Sequence, residues 1–166
     1  MNSETTNERL PFNPIDAIEE WILDYNWDFE RESDFELLAV IEGHWGPLHL
    51  HFQWQSELQA MFFACHGEII IPQLAKSRIC ELLISVNNQL WLGHFDLVPE
   101  TGGPAYRHTV PLRGQDGFSQ DQTEDLVATA VAEWDRLIPA IQLVSSGGDS
   151  ELNAVDLALM DTAGEA

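Results

Sequence analysis

The chain has 166 residues, with 28 acidic and 7 basic side chains and a formal charge of −21, yet 45% of it is hydrophobic and it holds six tryptophans. A charge of that size with few apolar residues would mean disorder; with this many aromatics it means a folded body with its charge on the outside, and a chain of this length can bury roughly 68–70% of its unfolded surface. Nucleic acid and anionic membrane are excluded as partners, because both are held by clustered lysine and arginine, and Lys76 is the single lysine.

Met1–Arg9 is polar and lacks the apolar stretch of a secretory signal. No apolar run approaches the ~20 residues that span a bilayer, so a cytoplasmic location is expected. The expected organisation is a flexible segment at 1–12, one α+β domain at 13–148, and a C-terminal helix and tail at 149–166. A helix should start at Asn13, with Pro14 in its first turn and Ile15, Ile18, Trp21, Ile22 and Tyr25 on one stripe. The period then changes to two. Trp27–Glu30, Phe35–Glu42, Leu48–Trp54 and Leu58–Cys65 read as extended runs separated by short breaks, as in an antiparallel meander.

A second helix follows Pro72, with Ala75, Ile79, Leu82, Leu83, Val86 and Leu90 on its apolar side. Strands at Gly93–Val98 and Ala105–Leu112 are joined through a turn at Gly102–Gly103. Ser119 and Gln122 make a capping box for a long third helix, which Pro139 should kink or end near Asp135 and Gly147–Gly148 should stop. Asp149–Asp161 can form a last helix with Leu152, Val155 and Leu159 on one face. The predicted class is α+β: a two-layer sandwich, with helices packed on one face of an antiparallel sheet.

Chemistry-bearing constellations are sparse. His49 and His51 lie two apart on one strand and so point to one face. They could ligate zinc with His44 or His66 as a third donor, but the plainer role is the polar face of a strand whose other face is Leu48, Leu50, Phe52 and Trp54. Cys65 and Cys80 read as buried, reduced, unreactive thiols. No GxSxG, SxxK, HExxH or phosphate-cradling glycine motif is present. No catalytic residue and no cofactor are therefore expected. Asp96 and Arg107 should face each other across a hairpin, within one register step, as a structural pair.

The remaining signal is apolar excess. A sheet covered on one side should show one polar face, but here both alternation faces carry apolar residues. Leu38, Val40, Trp45, Met61 and Phe63 are the expected surface for a dimer or a bound protein. A terminal helix folded back over that face is the alternative.

The stretches LWLGHFDL at Leu90–Leu97 and YRHTVPLRG at Tyr106–Gly114 resemble the YbjN family, its alphaproteobacterial branch in particular. The resemblance extends to Asn13–Pro14–Ile15, Gly43–Trp45, Phe52–Trp54 and the closing Gly164–Glu165–Ala166. Such proteins are described as bacterial sensory transduction regulators and are similar in fold to type III secretion chaperones, which are small acidic α+β dimers. The resemblance implies no catalytic residues. The expected function is thus a non-enzymatic chaperone-like or regulatory protein that forms a homodimer and binds another polypeptide. The alternative is a small-ligand or metal sensor using the His49/His51 strand face.

Overall fold

Asn13 accepts a hydrogen bond from the Ile15 backbone N–H at 3.0 Å and so caps the first helix, α1 (Pro14–Tyr25). A computed structural model describes residues 12–147 and 151–159. Of the segment 1–12 expected to be flexible, residues 1–11 lie outside the described residues, as do Gly148, the side chain of Leu152 and the closing Gly164–Glu165–Ala166. Helix α1 ends at Asn26, whose left-handed φ of 55° turns the chain into the sheet. Ile15, Ile18, Trp21 and Ile22 are buried, but Tyr25, expected on the same stripe, is half-exposed.

The strands are β1 (Asp28–Ser33), β2 (Glu36–Gly43), β3 (Gly46–Gln55), β4 (Ala60–Gly67), β5 (His94–Leu97) and β6 (Pro104–Pro111). Every pairing is antiparallel, in the order β1-β2-β3-β4-β6-β5. The first four form the expected meander. Leu58, expected to open the fourth strand, instead sits exposed in the turn before it.

The other helices are α2 (Lys76–Asn87), α3 (Gln120–Ser145) and α4 (Glu151–Leu159). Ser119 accepts from the Gln122 backbone at 3.1 Å, and the Gln122 side chain accepts from the Ser119 backbone at 2.9 Å, completing the capping box. Helix α3 does not end at Asp135; it runs through Pro139 to Ser145. A proline inside a helix costs about 3 kcal/mol, whereas each buried Leu, Ile or Val contributes roughly 1.5–3 kcal/mol. Leu137, Ile138, Ile141 and Val144 are all buried, so packing outweighs the lost backbone bond. Helix α4 packs on α3 and α2 through buried Ala154 and Ala158. It thickens the helical layer and does not fold over the second face of the sheet.

The core lies between that layer and one face of the sheet. Leu37 and Ala39 of β2, Leu48, Leu50, Phe52 and Trp54 of β3, and Met61, Phe63 and Cys65 of β4 meet Ile18, Ile22, Trp134 and Ile138 in it. This overturns the placement of Met61 and Phe63 on the outer surface, since both are fully buried. Directly paired strand residues share a face; Met61 pairs with Trp54 and Phe63 with Phe52, so they follow those two inward.

The Leu90–Leu97 stretch and its neighbours hold the end of the sheet together. Gly93 has φ +66°, and a Cβ there would lie 2.4 Å from the Tyr106 ring, so glycine is required twice over. The Tyr106 hydroxyl donates to the Leu92 carbonyl at 2.9 Å. Asn87 clasps the free edge of β5, donating to the Phe95 carbonyl at 2.9 Å and accepting from its N–H at 2.7 Å. A side-chain amide thus stands where a further strand would pair, which blunts that edge.

Candidate functional site

Because paired residues share a face, the register spells out the uncovered side of the sheet in rows. One row runs Asp28, Val40, His49, His66. The next runs Glu30, Leu38, His51, Ala64, Arg107, His94. A third runs Glu36, Gln53, Phe62, Thr109. Leu38, Val40, Phe62 and Ala64 form an apolar centre among histidines, and the rows enclose a shallow hollow of about 680 Å³. Leu38 is 37% exposed and Val40 38%. These two stand on the face expected of them. Trp45 does not join them: it sits in the β2–β3 turn with its ring edge-on to His44.

The histidines interact with each other and with carboxylates. The rings of His49 and His66 stack at 5.2 Å and 19°. His51 Nε2 lies 2.7 Å from Glu36 Oε1, and its ring meets Phe62 edge-on at 6.0 Å. Burial pushes the His66 imidazole below its ordinary range, and neighbouring His49 and then His51 push it the same way, against a raising backbone hydrogen bond at Gly67. His49 and His51 do share a face, but among the described residues no group of three or more His, Cys, Asp or Glu side chains is placed to hold a metal ion.

Arg107 reaches Asp96, Nη1 to Oδ2, at 3.6 Å. Asp96 is not directly opposite it, however; His94 is, and the pair is a diagonal one. Cys65 faces the core, and burial, reinforced by Asp135, pushes its thiol up to about 12, which leaves no thiolate at neutral pH. Cys80 is half-buried and also unbridged.

Phe62, Ala64 and Arg107 complete the face beyond the expected residues. The signal for them is the polar phase of β3: whatever pairs with His49, His51 and Gln53 shares their side. Trp91, within Leu90–Leu97, is 99% exposed, and nothing in the packing explains an indole there. No helix among the described residues is long and apolar enough to cross a membrane.

A model of the YbjN family, whose description reads "Putative bacterial sensory transduction regulator", matches residues 14–143. No curated protein and no solved structure matches the chain. The chain belongs to the YbjN family.

Proposed function

We propose that this member of the YbjN family is a non-enzymatic, chaperone-like or regulatory protein of the cytoplasm that forms a homodimer and binds another polypeptide. One observation carries the reading: the described helices leave one face of the sheet uncovered, and the centre of that face is Leu38, Val40, Phe62 and Ala64. Apolar residues grouped on a protein surface are characteristic of contact surfaces. The ring of histidines, Glu30, Glu36 and Arg107 around them supplies the polar rim that sets register between partners. The charge of −21 keeps such a face soluble and disfavours contacts elsewhere on the surface.

Light scattering over a dilution series tests this directly. The wild type should have twice the chain mass, and a Leu38→Glu/Val40→Glu variant the mass of a single chain. A wild type that stays monomeric at every concentration, and whose partner capture matches that of the variant, overturns the reading. A second reading rests on the size of the hollow, which falls within the ~300–1,000 Å³ of small-ligand pockets. It makes the His49/His51 face a small-ligand sensor, and thermal shift against a metabolite panel separates it from the first.

A further inference from the structure

The helical layer carries a second concavity that the reading above does not use. Trp21 and Tyr25, one turn apart on α1, meet Trp27 just before β1. The ring centroids lie 4.8 Å (Trp21–Tyr25), 4.9 Å (Trp21–Trp27) and 5.4 Å (Tyr25–Trp27) apart, and Trp27 stands at 90° to Trp21. The three rings therefore form a corner, not a stack. Trp21 is buried at its base, while Tyr25 is 50% exposed and Trp27 half-buried.

The facing wall is a stripe of α3. Ala128 and Ala132 are small, so the wall steps back and leaves about 440 Å³ beside the rings. The charged residues lining this space are Glu124 and Asp135, both acidic. Asp135 Oδ1 is buried and accepts no hydrogen bond from the described residues. The carbonyl of the same residue lacks its α-helical donor, because Pro139 has no N–H to give it. Burial pushes the Asp135 carboxyl above its ordinary range, with His44 opposing. A buried acceptor without a partner is costly, and the faces of tryptophan and tyrosine attract cations within about 6 Å of the ring centre.

We propose that the groove between α1 and α3 binds a small quaternary or alkyl ammonium ion, held against the Tyr25 and Trp27 rings with Asp135 as its counter-charge. The two carboxylates and the charge of the whole chain exclude an anion. A neutral apolar ligand would fill the corner but leave Asp135 unpartnered.

Choline is the probe, and its neutral isostere 3,3-dimethylbutan-1-ol is the control. Both are titrated into the full chain by calorimetry and tryptophan fluorescence, at ionic strength held constant with sodium chloride. Choline should give a saturable response, and the isostere should bind roughly tenfold more weakly. Tyr25→Leu, at a half-exposed position, and Asp135→Asn should each weaken choline by roughly tenfold, while their circular dichroism and melting curves confirm a folded chain. The Leu38→Glu/Val40→Glu variant should bind choline as the wild type does, so this inference and the dimer reading fail separately. Equal binding of the isostere, no saturable response to choline, or unchanged affinity in both groove variants overturns the proposal.

Discussion

Phe62 and Phe63 are consecutive in β4, yet they occupy different environments. Phe63 is fully buried against Phe52, with ring centroids 4.9 Å apart, under the helical layer. Phe62 is half-buried on the uncovered face, edge-on to His51. The same contrast runs through the whole sheet. The inner face is mostly hydrocarbon, with Leu37, Leu48, Leu50, Phe52 and Met61 excluded from solvent and His108 the imidazole among them. The outer face mixes apolar residues with imidazoles, carboxylates and one guanidinium. Inner residues contribute to folding through burial; outer residues remain available for contact. A mutation on one face should therefore read out in stability, and a mutation on the other in association.

The largest effect should come from the inner face. Phe63→Ala should cost about 3–5 kcal/mol in a urea melt, because it opens a cavity where the sheet meets the helices. Phe62→Ala should cost much less, and equal losses at the two positions would break the contrast. Next comes the outer centre: Leu38→Glu/Val40→Glu should leave the urea midpoint nearly unchanged while halving the mass seen by light scattering.

A third outcome concerns pH. Burial holds the His66 imidazole below its ordinary range, with His49 and His51 reinforcing it. The unfolded chain therefore takes up more protons between the folded value and about 6.5. Stability should be complete above that window and fall as the pH drops through it, and His66→Gln should flatten the dependence in thermal melts. His108, lowered chiefly by burial and then by His94, should add a similar slope from the inner face, so the double variant should be flatter still. The smallest effect is expected at Asp96. Its diagonal contact with Arg107 is long and half-exposed, and Asp96→Asn should change stability by less than about 1 kcal/mol.

Much of this architecture was legible along the chain because it depends on near neighbours. The Asn13 cap, the Ser119–Gln122 capping box and the switch from helical spacing to alternation after Tyr25 are all local patterns, and the described elements follow them. The two-sided apolar character of the strands was legible too, and Leu38 and Val40 stand on the uncovered face. Alternation, however, separates two faces without saying which one the helices cover. Alternation alone puts Met61 and Phe63 outward for that reason. The pairing of β3 with β4 decides the matter, since it ties them to Trp54 and Phe52.

From its sequence alone this chain is an acidic α+β protein with a meander, four amphipathic helices and a histidine-bearing strand, because composition, capping and periodicity act within a few residues of one another. Only the tertiary structure decided that β6 inserts between β4 and β5, that α3 passes through Pro139 and that α4 joins the helical layer. The same holds for the aromatic corner facing Asp135 across the α1–α3 groove. Each is settled by contacts between residues far apart in the chain, where burial of a shared surface outweighs local preference. Local chemistry shaped each element; long-range packing chose which surfaces to bury and which to leave open.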